Sequence, residues 1–349
     1  MATIRDVANA TGTSITTVSR VINNSGYVSQ ATREKVKKAI KELNYTPNAL
    51  ARGLVTDITR SIGLIVPDIT SPYFSEIAKS IEKVASHYNY NIFLCNTNWD
   101  VEREKMYLNE FSQKRVDGVI YAIFRKNEEV SDILNKLDIP TVLLEKKPEN
   151  GKYIKSVDID NVQAGKLATD FLIEKGNRKI AFVGGESQIN VSKDRERGYI
   201  SSLKEHGIDL DKDRIVYSGF NIRGGYEAMQ KLSKRDIEID SIFLATDLMA
   251  IGALNFLTQN GVKVPEDVSV VGFDNIELSA IMQPTLTTVD LPIKDIAELA
   301  MKKIMKMIYK TDEKIDKENI ELKIIERKTT EMPGASNGIN LYRFFKEQQ

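Results

Sequence analysis

The chain has one cysteine and one tryptophan among 349 residues, and only two histidines. Cys95 alone cannot form an internal disulfide, and one thiol with two imidazoles cannot make a Cys/His zinc set. Cys95 ends the apolar run Ile92–Cys95, where a buried, unreactive thiol is expected. His87 and His206 fall in polar helical stretches and read as surface residues. No two glycines stand two positions apart, which removes the G-x-G-x-x-G dinucleotide fingerprint. A P-loop and a Gly-x-Ser-x-Gly elbow are also missing. Nothing pairs a nucleophile with a base. The expectation is a binder rather than an enzyme, with no catalytic residues, no cofactor and no metal.

Long apolar runs are missing too. The longest, such as Ile62–Pro67, fall far short of the ~18 residues that a membrane span needs. The first residues, Met1–Asp6, carry no basic-then-apolar signal, so a cytoplasmic address and no membrane partner are expected. What the chain does have is an uneven distribution of charge. The net charge is zero, yet residues 1–60 hold nine Lys/Arg against four Asp/Glu, leaving the rest negative. A basic head on an acidic body points to a polyanion held at one end.

That head reads as three short helices. Thr3 is placed to cap a helix whose inward residues are Ile4, Val7 and Ala8, and Gly12 ends it. Ser14 caps a second helix with Val18, Val21 and Ile22 inward. Ser29 caps a third with Val36, Ala39, Ile40 and Leu43 inward and lysines outside. Two short helices joined by about three residues that include Gly fit a helix-turn-helix. The outward residues of the second helix include Ile15, Thr16, Thr17, Arg20 and Asn23. Small polar groups at a helix N-terminus suit phosphates, and the Arg20 fork matches guanine O6 and N7.

From Ser61 onward apolar, β-rich runs recur: Ile62–Val66, Ile92–Cys95, Val119–Ala122, Pro140–Leu144, Ile180–Val183, Ile242–Ala245 and Val268–Val271. Helical patterns separate them, which indicates βαβ units around a parallel sheet. A second series beginning near Asp160 suggests two lobes, with a cleft at the carboxyl ends of the strands. Residues just past strands are the pocket candidates: Tyr73, Phe74, Glu145, Arg195, Phe220, Asp247 and Asp274. Aromatic faces with Arg and Asp suit a sugar. Asp247 could equally serve as a helix cap.

The stretches Ala2-Thr-Ile-Arg-Asp-Val-Ala, Thr17-Val-Ser-Arg-Val-Ile-Asn, Thr32-Arg-Glu-Lys-Val and Leu43-Asn-Tyr-Thr-Pro-Asn-Ala-Leu-Ala-Arg-Gly-Leu closely resemble the LacI/GalR family of bacterial transcription regulators. The match is unbroken over residues 2–54, and the pattern continues to about 328. The resemblance implies an α/β protein with a helix-turn-helix DNA-binding domain at 1–46 and a hinge helix and linker at 47–60. A two-lobed core similar to periplasmic sugar-binding proteins follows at 61–328. Lobe one is expected at about 61–158 and 290–320, lobe two at about 159–289, with the strand Ile320–Ile325 returning to lobe two. By the same resemblance Ile15, Thr16 and Arg20 read bases, and Ser14, Thr17, Asn23 and Thr32 contact phosphates. The hinge segment Asn48–Leu54, with Ala51 among its DNA contacts, enters the minor groove, and Leu54 wedges a base step. Asp160 joins the effector residues on this basis alone.

The implied function is a repressor of carbohydrate-utilisation genes. It would act as a homodimer on a palindromic operator, under a sugar, sugar acid or sugar phosphate. Two alternatives stay open: a catabolite-control regulator with a phosphorylated carrier protein as corepressor, and a sugar-binding protein without a DNA role. The tail 329–349 departs from the pattern. It shows no heptad repeat for a tetramer, and docking of Leu341–Phe345 on the body is expected.

Overall fold

The structure, a computed structural model, describes residues 2–45, 58–122, 127–145, 153–186, 189–311, 320–330 and 336–347. Contacts divide the chain into two units, Met1–Arg60 and Ser61–Gln349.

In the first unit the caps set the helices. α1 (Ile4–Thr11) opens on Thr3, whose hydroxyl accepts from the Asp6 N–H while the Asp6 carboxylate accepts from the Thr3 N–H. This reciprocal box satisfies two backbone donors that would otherwise lack partners. Gly12 ends the helix at φ 61°, a left-handed conformation that costs glycine little. Ser14 caps α2 (Ile15–Ile22) and Ser29 caps α3 (Gln30–Glu42), each accepting from an N–H three residues on. Val7, Ala8, Val18, Val21, Val36 and Ala39 close one small core. Leu43, expected inward, is instead 38% exposed, because it is the C-cap of α3 and lies past the last turn facing that core.

The second unit is built on two sheets. β1 (Ser61–Val66), β2 (Asn91–Asn96), β3 (Gly118–Ala122), β4 (Thr141–Leu144) and β5 (Ile154–Val157) form a parallel sheet in the order β2-β1-β3-β4-β5. β6 (Ile180–Gly184), β7 (Ile215–Tyr217), β8 (Ser241–Leu244), β9 (Ser269–Asp274) and β10 (Thr287–Asp290) repeat that order as β7-β6-β8-β9-β10. β11 (Lys323–Ile325) adds to β10 antiparallel. β1, β3, β4, β6, β8 and β9 are buried throughout, as strands covered on both faces must be, and so they read as unbroken apolar runs. The edge strand β2 leaves Phe93 and Leu94 exposed.

The connecting helices are α4 (Pro72–His87), α5 (Val101–Lys114), α6 (Glu128–Lys136), α7 (Asn161–Glu174), α8 (Asn190–Glu205), α9 (Ile222–Leu232), α10 (Asp247–Gln259), α11 (Glu277–Ile281) and α12 (Ile293–Tyr309). α12 packs on α4 and on β3, β4 and β5, whereas β11 belongs to the other sheet. The chain therefore passes between the lobes after β5, after β10 and again after α12. One apolar cluster runs through these crossings, from Ile62 and Ile77 through Leu291 and Ile296 to Phe182 and Phe273.

Lobe two owes its helix spacing to glycines. A β-carbon at Gly165 would stand 2.0 Å from the Arg195 carbonyl oxygen, and one at Gly198 would stand 2.1 Å from that of Val162. The backbones of α7 and α8 thus touch, with no side chain between them. Gly225 and Gly252 make the same crossing between α9 and α10, each 1.9 Å from a carbonyl by that measure.

Beyond the second sheet the tail lies along lobe two. Ile339 bridges Ile239, and Ser336 bonds Ser269. Arg343 pairs with Asp236, and α13 (Leu341–Glu347) buries Leu341.

Since neither carbonyl can move without displacing a whole helix, Gly198→Ala is expected to cost the core about 3 kcal/mol. The shift of the core's urea midpoint measures it. An unshifted midpoint would mean that α7 and α8 can separate freely.

Candidate functional site

Two sites emerge, one in each unit. In the first, the outer face of α2 carries Ile15, Thr16 and Arg20, all exposed. Ile15 is 43% exposed on that face. Thr16 and Arg20 stand one turn apart on that face. Ser14 and Thr17 bond to each other through their hydroxyls at 2.9 Å, and Ser29 and Thr32 do the same. Each pair sits at a helix N-terminus, where free N–H groups favour phosphate. Asn23 is exposed as the C-cap of α2. Asn48, Ala51 and Leu54 lie outside the described residues.

In the second unit a cavity opens at the carboxyl ends of both sheets, where open α/β sheets hold their ligands. Each wall is supplied by equivalent strands of the two lobes. After the first strand of each sheet come Tyr73 and Phe74 in lobe one, Val191 and Arg195 in lobe two. After the second come Trp99 and Phe220, and at the end of the fourth come Glu145 and Asp274. Trp99 and Phe220 stack with centroids 6.1 Å apart and planes 14° from parallel. Phe74 meets Trp99 edge-on at 6.4 Å. Phe220 reaches this position because Gly185 leaves room: a β-carbon there would strike the ring at 2.0 Å.

Arg195 is held from three sides. Its Nε donates to Asn161 Oδ1 at 2.9 Å, and its Nη1 donates to the Ala245 carbonyl. The guanidinium lies 3.4 Å from the centroid of the Phe273 ring. Burial lowers its pKa, an effect that Asp274 and then Glu145 oppose. Tyr73 donates its hydroxyl to Glu145 Oε1, and burial ahead of that carboxylate raises the Tyr73 pKa. Burial also pushes up the carboxyls of Glu145 and Asp274, against the pull of Arg195.

Both acids sit in strained backbone, Glu145 at φ 62° and Asp274 at φ 114°. Among the described residues Glu145 Oε2 is buried without a hydrogen-bond partner, and no protein hydrogen bond reaches the Asp274 carboxylate. Unpaired buried acceptors and unpaid strain concentrate where a ligand completes the structure.

Six of the eight effector candidates thus come together: Tyr73, Phe74, Glu145, Arg195, Phe220 and Asp274. The structure does not bring Asp160 or Asp247 to the cavity wall. Asp160 caps α7 by accepting from the Gln163 N–H. Asp247 is fully buried and holds a junction, accepting from the Ile276 N–H, the Ser279 hydroxyl and the Thr288 hydroxyl. Nor does it cap α10, since Thr246 does. Trp99, Asp68, Thr246 and Leu248 line the cavity but escape sequence reasoning. Trp99 had a signal, a large aromatic residue just past the strand Asn91–Asn96. Among the described residues no His/Cys/Asp/Glu group could hold a metal, and no helix is long and apolar enough to cross a membrane.

Two family models match the chain. Residues 3–48 match "Bacterial regulatory proteins, lacI family", and residues 59–328 match "Periplasmic binding proteins and sugar binding domain of LacI family". The HTH-type transcriptional regulator RegA of Clostridium saccharobutylicum is 40% identical over 330 residues, 94% of this chain and 98% of that protein. Catabolite control protein A of Priestia megaterium is 38% identical over 322 residues, 92% and 96% of the two chains. The solved complex of the transcriptional regulator CelR with cellobiose superposes with a TM-score of 0.70 at 29% identity, covering 94% of this chain and 100% of that one.

Burial raises the Asp247 carboxyl to about 6, against hydrogen bonds that pull it down. The folded core therefore binds this proton more tightly than the unfolded chain, whose ordinary value is 3.8, and stability is lost as pH rises from the lower value to the higher. Compared with Asp247→Asn, the wild-type protein is expected to lose stability between about pH 4 and about pH 6 and to keep a constant difference above that. Paired urea titrations across that range provide the test, and parallel curves would show that Asp247 stays ionised.

Proposed function

The chain belongs to the LacI family of bacterial regulatory proteins, and we propose that it is a transcriptional repressor of carbohydrate-utilisation genes. A small sugar-like effector bound between the core lobes controls its grip on DNA. The observation that carries the effector reading is the cavity itself, with aromatic faces and acids from both lobes and, among the described residues, a buried Glu145 oxygen without a hydrogen-bond partner. A ligand that satisfies both lobes holds them at one relative angle, and that is how a hinged core responds. CelR, by its description a cellobiose complex, supports a carbohydrate as the ligand class.

On the DNA side Ile15, Thr16 and Arg20 read base edges, while Ser14, Thr17, Asn23 and Thr32 hold phosphates. The hinge residues Asn48, Ala51 and Leu54 contact the operator. The DNA partner implies a cytoplasmic address, and the regulators among its relatives support binding rather than catalysis as its work.

The core supports a homodimer on a palindrome. Phe93 and Leu94 on edge strand β2 are 46% and 38% exposed, and Leu278 and Ile281 on α11 are 43% and 66% exposed. Each lobe thus offers an apolar patch for a second copy to cover. Ile281→Glu combined with Phe93→Glu is expected to give monomers in sedimentation at micromolar concentration, with operator affinity reduced at least tenfold. Unaltered dimers would put the interface elsewhere.

The switch is tested by titrating operator DNA with and without effector. Arg20→Ala should cost ~1–3 kcal/mol per contact and relax preference at one base position. Uniform weakening over all operators would make Arg20 a phosphate clamp. Asp274→Ala should abolish the effector response while leaving unliganded DNA binding nearly intact, within a coupling of ~1–3 kcal/mol. An unchanged response would move the effector site out of this cavity.

A further inference from the structure

We infer that Asp247 is a positioning residue: its carboxylate ties the lobe-two wall of the cavity to the strand by which the chain crosses to lobe one, and its charge state sets how firmly the lobes are held together. The inference rests on the reading of the core as a hinged pair of lobes, not on the identity of the effector. Four elements meet at this side chain. α10 brings Asp247 itself, two residues after the Ala245 carbonyl that receives Arg195. Ile276, just past the Asp274–Asn275 turn, donates its N–H to Oδ2 at 3.0 Å. Ser279 on α11 donates its hydroxyl to the same oxygen at 2.5 Å. Thr288 on β10 donates to Oδ1 at 2.6 Å. β9 passes beside it as Gly272, where a β-carbon would stand 2.3 Å from Oδ1, so only glycine leaves room for the carboxylate. Two residues beyond Thr288, Asp290 ends β10, and the chain passes through Leu291 into α12 of lobe one. Asn275 reinforces this join, since its Nδ2 donates to Asp290 at 2.7 Å.

The two charge states of Asp247 hold the join unequally. Ionised, the carboxylate accepts three charge-assisted hydrogen bonds, roughly twice as strong as neutral ones. Protonated, it accepts more weakly and must place an O–H of its own among three donors. The Thr288 hydroxyl can turn toward the Val289 carbonyl, 3.4 Å away, and receive that proton, which reverses the bond to the crossing strand. Arg327 favours the ionised form, and Asp274 and Arg195 act on the group from the cavity side. The other charges nearby are engaged elsewhere. Glu277 on α11 is exposed, Asp290 is held by Asn275 and Lys323, and Arg223 and Glu227 on α9 pair with each other in solvent. Burial outweighs the hydrogen bonds and lifts the carboxyl to about 6, so both states are reached near neutral pH. Acid thus slackens the tie even as it relieves the core of a buried charge.

Trp99 reports the outcome, because it belongs to lobe one, is the only tryptophan of the chain and stacks on Phe220 of lobe two. Acrylamide quenching of the intact protein, with neither effector nor DNA, is followed across the Asp247 value of about 6. Quenching should rise toward acid in one transition centred there. Asp247→Asn should remove the transition, and Asp274→Asn should keep it. Thr288→Val deletes a bond that favours the ionised form and should move the midpoint up by about one pH unit. That shift decides the matter if Asp247→Asn does not fold. A transition that survives Asp247→Asn, or that Thr288→Val leaves in place, overturns the inference, and so does one lost only in Asp274→Asn, which would belong to the cavity acid. A flat wild-type profile overturns the inference alone when Phe220→Ala exposes Trp99 to the quencher. If Phe220→Ala changes nothing, the lobes do not meet at these rings, and the hinged reading falls with it.

Discussion

The backbone contact between α7 and α8 is the constraint on which the ligand site depends. With hydrogen atoms facing carbonyls at Gly165 and Gly198, the two helices lie as close as polypeptide permits. That closeness puts Asn161, the first residue of α7, within 2.9 Å of Arg195 on α8, and the bond fixes the direction of the guanidinium. Phe273 from the sheet below and Ala245 from the end of β8 complete the clamp. A long, flexible arginine would otherwise pay a large entropic cost on meeting a ligand. Here that cost is met in folding.

The same end of the core holds its least comfortable groups. Glu145 and Asp274 occupy left-handed backbone as non-glycine residues, and both are nearly buried as acids. Strain and desolvation of this kind cost of order 1–3 kcal/mol per strained residue. The surrounding apolar cluster, continuous through all three crossings, makes this tolerable. Stability in one part of the core thus sustains a poised site in another, and the site lies where both sheets end.

Much of this is legible in the sequence for definite reasons. The strands can be read because burial on both faces turns them into unbroken apolar runs, as in Ile62–Val66. The helices of the head can be read because Thr3, Ser14 and Ser29 announce their first turns. Residues past strand ends are legible as a class, which is how Glu145, Arg195, Phe220 and Asp274 are found. Direction within that class is not. Asp247 follows a strand as Asp274 ends one, yet its side chain turns inward to Ile276, Ser279 and Thr288, partners supplied by the loop before α11, by α11 and by β10, 29 to 41 positions away. Trp99 escapes because its importance comes from Phe220, 121 positions away in sequence and brought opposite it only by the pairing of two lobes. The glycine crossings escape likewise, since a glycine within a helical pattern reads as a weakness until its neighbour across the interface is known.

The repeated strand order gives the cavity an approximate half-turn symmetry, with Trp99 answering Phe220 and Glu145 answering Asp274. A perfectly symmetric cleft would accept an asymmetric ring in two poses related by that rotation and could not tell them apart. The residues after the first strands break the tie. Lobe one offers the Tyr73 hydroxyl, already committed to Glu145, while lobe two offers Arg195, locked in place and cationic. The matching walls of the two lobes are therefore chemically unequal: a committed hydroxyl stands on one side and a fixed cation on the other.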